Sequence, residues 1–413
     1  MPGKTIIEKI LQNHTTSSRD IKADDIIICE IDLLLAQDGT APLAINAFNK
    51  LNTKIPFPER INFIIDHNSP APNEGVSNLH KLMREFAQKY SINLYDIGEG
   101  ICHQVMIESK KLSPGMLVVG ADSHTITYGA LNLAAIGIGS TELAACMATS
   151  KLWFKVPKTK KIIINGKPKN YVFSKDIALY LLRILKEEFA NYRCIEYQGE
   201  YINSLSIESR FTLANMSAEL GAKACIMPFD DKLKDYYKEG IHPDEDAEYE
   251  EIREFRIDEL EPQVALPHAP SNVVDIQEVV GLKVDQVIIG TCTNGRLEDL
   301  EIVHKIIKNR KVNKDTRLIV IPASKHILKT CITKGIIEDI ISAGGVIFPP
   351  GCGPCVGTHG GIPADDEVIL STANRNFKGR MGNPKARIYL VSPATASASA
   401  ITGKITHPKE FLS

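Results

Sequence analysis

An α/β fold is predicted by two features of the 413-residue sequence: short aliphatic runs alternate with amphipathic ones, and several aliphatic runs end in polar, glycine-rich loops. The runs 61-INFII-65, 116-MLVVG-120, 161-KIIIN-165, 286-QVIIG-290, 317-RLIVI-321 and 388-IYLVS-392 read as strands, rich in β-branched residues and too short for helices. Between them, 78-NLHKLMREFAQKY-90 places Leu79, Leu82, Met83, Phe86 and Tyr90 on one helical face. A second helix is expected over 175-KDIALYLLRILKEEF-189 with Ser174 as its N-cap, and a third over 297-LEDLEIVHKIIK-308. The last helix begins at Ser392-Pro393 and stops at Gly403. Its small interior, 394-ATASASA-400, suits close backbone packing.

The chain is long enough for two or three domains. Its 44% hydrophobic and 24% charged residues are ordinary for a globular protein, and a net charge of -2 gives no electrostatic footprint for nucleic acid or an anionic membrane. The basic runs 155-KVPKTKK-161 and 308-KNRKVNK-314 read as solvated faces. No signal-peptide core opens the chain, and the most apolar stretch, 131–148, is broken by Asn132, Ser140, Thr141 and Glu142. A cytoplasmic protein is expected. The nine cysteines read as reduced thiols rather than a disulfide framework. A charged segment, 234–262, reads as an exposed connection near a domain boundary. The expected division is an N-terminal α/β region over 1–280, holding the acid–base residues, and a C-terminal α/β region over 281–413.

Chemistry gathers after the strands. The run 61–65 leads into Asp66-His67-Asn68, 116–120 into 121-ADSHT-125, 286–290 into 291-TCTNGR-296, and 345-GVIFPP-350 into 351-GCGPCVGTHGG-361. Ligands in open α/β sheets collect at the carboxyl ends of strands, so these four loops are candidates for one site. Cys352 and Cys355 form a C-x-x-C in a glycine loop that leaves amides free for thiolates. Alone it suits a zinc half-site, a redox pair or a cluster. Cys292 adds a third candidate thiolate. A zinc site would need a fourth ligand, for which His359 is nearest.

Three thiolates on a cubane leave one iron free to act as a Lewis acid. Around them stand Asp66 with His67, His103, Asp122 with His124, and Asn215 with Glu219, four apart on a prospective helix. A carboxylate beside an imidazole raises its pKa and sets its tautomer, which suits a general acid. The segment 373-ANRNFKGRMGNP-384 offers Arg375, Lys378 and Arg380 for carboxylates.

These stretches, with 120–157, 290–300, 351–359, 374–384, 66-DHNSPAPN-73, 101-ICHQV-105 and 263-QVALPHAPSNV-273, resemble the aconitase/isopropylmalate dehydratase superfamily. The matches run in family order from about Gln37 to Gly403. They are most similar to the short two-subunit group that includes isopropylmalate dehydratase and homoaconitase. The resemblance implies three α/β/α domains around one [4Fe-4S] cluster, with Cys292, Cys352 and Cys355 as its ligands. It implies that Asp66 with His67, and His103 with Asp122, form acid pairs at the substrate hydroxyl. His124 with Glu219 would hold the water or hydroxide at the open iron. Gln37, Ser123, Asn215, Asn374, Arg375 and Arg380 would contact substrate or cluster.

The implied reaction is a hydro-lyase isomerisation of a hydroxy diacid by dehydration and rehydration, as between 2- and 3-isopropylmalate in leucine biosynthesis. Homocitrate-, citrate- and dimethylmalate-type acids share the same recognisable end. The swivel domain that supplies the carbon base in single-chain relatives has no counterpart here, which implies a separate small subunit in a heterodimer or heterotetramer. A non-catalytic iron sensor or RNA binder is the rival class, and near-neutral charge weighs against RNA.

Overall fold

Five parallel strands, Asn93–Tyr95, Ile61–Ile64, Leu33–Gln37, Leu117–Gly120 and Ala134–Gly137 in spatial order, form the first of three main sheets in the computed structural model, which describes residues 3–412. Parallel sheets need cover on both faces. Side-chain alternation provides for it: Leu33, Leu35, Ile64 and Val118 enter one core, while Leu34, Ala36, Phe63 and Val119 enter another. The second core is closed by the helix Ala41–Leu51 and by Glu74–Tyr90, whose Phe86 packs edge-on against Phe48.

The second sheet, Ala224–Ile226, Cys194–Gln198, Thr159–Asn165 and Glu251–Arg256, is also parallel. The third has seven strands, ordered Val273–Asp275, Gln263–Ala265, Arg387–Leu390, Val368–Ser371, Gln286–Gly290, Arg317–Ile321 and Val346–Ile347. The Gln263 strand pairs antiparallel with both of its neighbours, and the remaining pairs are parallel. A separate antiparallel ribbon joins Ile26–Glu30 to Lys151–Lys155. No helix among the described residues is long and apolar enough to cross a membrane. All nine cysteines are buried and free.

The six predicted strands are present, as are the helices Glu74–Tyr90, Leu297–Ile307 and Pro393–Thr402. The interior residues Ala394–Ala400 of the last helix are all buried, which requires their small size. Two expectations are corrected. Ser174 is the first residue of its helix rather than the cap; Phe173 stands at the cap, and its N–H donates to the Asp176 carboxylate (2.9 Å). The segment 234–262 is more than a connection, because Glu251–Arg256 pairs along Thr159–Asn165. As an edge strand with mostly exposed side chains it tolerates charge that would disqualify a central one.

The first and second sheets touch where the Ser123–Leu131 segment crosses strand Ala224–Ile226. Gly129 lies against that strand so tightly that a Cβ there would sit 1.5 Å from the Cys225 carbonyl oxygen. Its own carbonyl accepts the Met227 N–H (3.0 Å). Gly129→Ala is therefore expected to lower stability by about 1–3 kcal/mol, the usual cost of forcing extra volume into a packed contact. A urea denaturation midpoint equal to that of the wild type would contradict this account of the joint.

Candidate active site

The carboxyl ends of first- and third-sheet strands converge on a cavity of about 140 Å³. Gln37, His67, His103, Asp122, Ser123, His124, Cys292, Cys352, Cys355, Asn374, Arg375 and Arg380 line it, together with Ile101 and Val356. Of the site residues implied by the family resemblance, Asp66, Asn215 and Glu219 stand outside the lining, each bonded to a residue that is in it.

Asp122, at the end of strand Leu117–Gly120, is the hub. Its Oδ1 accepts from His103 Nε2 (3.0 Å) and from the His124 backbone N–H (2.8 Å), and its Oδ2 lies 3.5 Å from His67 Nε2. Burial pushes this carboxyl up, but hydrogen bonds from His103, His124 and His67 outweigh it and hold the group well below the usual carboxylate range. His67 faces Asp66 through Nδ1 (2.9 Å). Burial disfavours its charge, yet Asp66 and Asp122 on opposite ring nitrogens raise its pKa well above the ordinary value. Carboxylates facing both nitrogens favour a hydrogen on each, the imidazolium form. Asp66 is itself fixed by the Cys102 N–H (2.7 Å) at the start of helix Cys102–Glu108.

His124 Nε2 meets Glu219 Oε1 at 3.0 Å, and Arg375 Nε donates to both Glu219 oxygens (2.9 and 3.0 Å). Burial opposes charge on both partners. Asp122 and Glu219 nevertheless raise the His124 pKa, and His124 and Arg375 lower that of Glu219. The helix carrying Asn215 ends at Met216, so Glu219 stands on a following 3-10 turn, Ser217–Leu220, rather than on the same α-helical face. The tighter turn directs Glu219 to His124 and Asn215 to the thiols.

Two of the three thiols meet donors. Asn215 Nδ2 and Asn374 Nδ2 reach Cys292 Sγ at 3.3 and 3.4 Å, and an Arg380 terminal nitrogen reaches Cys355 Sγ at 3.8 Å. Burial pushes the Cys292 thiol up to about 11. The neighbouring Cys352 thiol and the Arg380 charge hold Cys355 well below the ordinary thiol value. Asn374 Oδ1 and Arg380 Nε are buried without protein partners. Sulfur-directed donors and unspent polar atoms around three thiols fit an anionic iron–sulfur cluster better than a closed apolar core. His359, the zinc-ligand candidate, turns its Nε2 to the His67 carbonyl oxygen instead (3.1 Å) and does not line the cavity. Lys378 is exposed outside it.

Three contributors were not anticipated. Tyr128 Oη lies 3.2 Å from His103 Nδ1. Lys175 is buried behind the Asn374 turn. Asp38, in the 37-QDG-39 turn after strand Leu33–Gln37, collects the backbone N–H groups of Asp66 (3.0 Å), His67 (2.7 Å) and Asn68 (2.9 Å), with His80 Nε2 at 3.3 Å. A polar turn with glycine after an aliphatic run was the signal used for the other loops, and it also marks Asp38.

Burial opposes the Asp38 charge, but His80, His67 and these amides hold its carboxyl far below the ordinary value. A depressed carboxylate contributes stability that is complete above its unfolded value of about 3.9 and is lost as pH falls toward the folded one. Asp38→Asn should therefore be less stable than wild type at pH 7, and the gap should narrow below about pH 4. Urea titrations from pH 7 to 3 giving a constant gap would count against Asp38 as the organiser of this loop.

A model of the aconitase family (aconitate hydratase) matches residues 8–282 and 277–403. The chain is 47% identical over 421 residues to 3-isopropylmalate dehydratase large subunit 1 of Thermotoga maritima, covering 99% of this chain and 100% of that protein. Large subunit 2 of the same-named enzyme from Archaeoglobus fulgidus is 47% identical over 418 residues, again covering 99% and 100%. Thermococcus kodakaraensis aconitase X shares the fold, with a TM-score of 0.52 over 90% of each chain at 13% identity. Resemblance in motif order, a family match over nearly the whole chain and full-length relatives agree: this chain belongs to the aconitase family.

Proposed function

We propose that this chain is the large subunit of a 3-isopropylmalate dehydratase, interconverting 2- and 3-isopropylmalate through loss and re-addition of water. The observation that carries the reading is 47% identity along the whole chain to large subunits of that name. The convergence of three thiols with two imidazole–carboxylate pairs in one cavity supports it.

Cys292, Cys352 and Cys355 would hold a [4Fe-4S] cluster. When bound, such a cluster with one iron lacking a protein thiolate supplies Lewis acidity toward a substrate hydroxyl and carboxylate. The protein's own part is to orient and to move protons. His67, kept protonated by Asp66 and Asp122, is placed to donate a proton from Nε2 to a departing hydroxyl. Hydroxide is a poor leaving group, and protonation turns it into water. Asp122, shared between His67 and His103, orients both rings toward the cavity. His124 and Glu219 hold a second proton at the cavity wall, and Arg375 is aligned by Glu219 to receive a substrate carboxylate. Arg380 combines contact with Cys355 and an unspent Nε that a second carboxylate could satisfy.

A groove of about 390 Å³ shares Ser123 and Arg375 with the cavity and leaves it open on one side. A separate small subunit would close that side, exclude water, and supply both the base for the carbon-bound proton and the wall for the isopropyl group. In the cell, the complex is expected to work in the cytoplasm.

Three outcomes are expected. Replacing Cys292, Cys352 or Cys355 by Ser should abolish the brown absorbance of anaerobically reconstituted protein, whereas Cys225→Ser should keep it; a fully absorbing Cys292→Ser protein would remove the ligand assignment. Co-expressed with its small subunit, the wild type should hydrate isopropylmaleate and the isolated chain should not. His67→Ala and His103→Ala should retain the cluster and lower kcat by roughly 10²–10⁴-fold, the usual contribution of a positioned acid or base. Turnover by the chain alone, or full rates in both histidine variants, would refute this division of labour.

A further inference from the structure

Lys175 is a buried cation for which neither fold stability nor the proposed proton chemistry accounts. It is 0% exposed, and its ammonium meets carbonyls and a thioether: Thr372 O (3.0 Å), Ala373 O (2.5 Å) and Met216 Sδ (3.7 Å). The adjacent Asp176 forms no ion pair with the ammonium; its oxygens accept the N–H groups of Phe173 (2.9 Å) and Gln263 (3.1 Å) instead. Lys175 is also the second residue of the helix Ser174–Leu185, where the helix dipole disfavours positive charge. An apolar side chain of similar length would serve packing at least as well, since burying an unpaired ammonium costs several kcal/mol.

What Lys175 grips explains its presence. The Thr372–Ala373 turn is tied on its other side to Gly290, whose N–H donates to Thr372 Oγ1 (2.9 Å) and whose carbonyl accepts from it (3.1 Å). Gly290 stands two residues before Cys292, and Ala373 directly precedes Asn374, which donates to Cys292 Sγ. Burial pulls the ammonium down to about 7, and the groups that oppose this most are Cys292 and then Cys355. Lys175 thus reaches from the second-sheet unit into the turn that frames the thiols, and the anions that favour its charge are the proposed cluster ligands.

We infer that Lys175 is a positioning residue that supplies a fixed countercharge to the iron–sulfur site through the Thr372–Ala373 turn and thereby sets the potential of the bound cluster. The inference rests on the cluster reading of Cys292, Cys352 and Cys355. Three thiolates give a bound [4Fe-4S]²⁺ core a net negative charge, and reduction adds another. A nearby cation favours the reduced form, so its removal moves the midpoint to more negative values.

The test is an EPR-monitored redox titration of the reconstituted, full-length protein with its small subunit, comparing wild type, Lys175→Gln and Lys175→Met. Gln can still donate to a carbonyl but carries no charge, so it separates countercharge from anchoring. Both variants should bind the cluster and titrate at more negative potential than wild type. A Lys175→Gln midpoint equal to that of wild type overturns the inference, whatever the activity. If neither neutral variant folds, Lys175→Arg is read instead: a midpoint close to wild type supports the countercharge and a marked negative shift overturns it. Wild-type protein without a cluster signal would sink the cluster reading itself, a failure distinct from an unchanged midpoint in the variants.

Discussion

The Asp122 carboxylate, nearly removed from water and facing three imidazoles, is the constraint around which the rest of the site is arranged. A carboxylate in that position is tolerable only while its lone pairs are occupied, and removing one partner of such a network costs far more than the network contributes. His67 arrives from the loop after strand Ile61–Ile64, His103 from the first turn of helix Cys102–Glu108 and His124 from the 3-10 segment Ser123–Leu131. Each segment must therefore hold its position for the others to be satisfied, which converts an electrostatic requirement into geometric precision.

The supporting bonds follow from that demand. Asp38 gathers three consecutive amides so that the Asp66–Asn68 loop cannot drift, and the Cys352 N–H donates to the Asp66 carbonyl oxygen (2.9 Å), coupling this loop to the C-x-x-C. Arg375 reaches Glu219, and Glu219 reaches His124, so that one chain of charge crosses the third-, second- and first-sheet units. No unit contains a complete site by itself. Close contacts such as Gly129 against Cys225 maintain the relation between units on which the charge chain depends.

The family's chemistry benefits from this arrangement in a specific way. Paired carboxylates raise the His67 pKa although burial favours the neutral ring, which suits the acid role proposed for it. Amide and guanidinium donors face the sulfurs, where anionic charge would otherwise be unsupported. The two halves of the site thus use opposite electrostatic strategies within one cavity: carboxylates around imidazoles, and donors around thiols.

Much of this was legible in the chain. Aliphatic runs located six strands because parallel strands covered on both faces must be apolar throughout, and the polar loops after them named the cavity's residues because ligands gather at strand ends. The edge strand Glu251–Arg256 escaped notice because an exposed strand needs no apolar pattern, and the Glu219 turn differed from a continuous helix because hydrogen bonding to His124 and Arg375 outweighs local helical preference. Lys175 carries no signature of its own, and the turn signal that marks Asp38 does not say what it binds. Their partners are backbone carbonyls and amides remote or unspecified in sequence, and a backbone group advertises nothing through residue identity. The sequence by itself therefore singled out the side chains that gather at the cavity and the strands that precede most of them. Only the tertiary structure decided which buried charges hold them in place, because that depends on where distant backbone comes to rest.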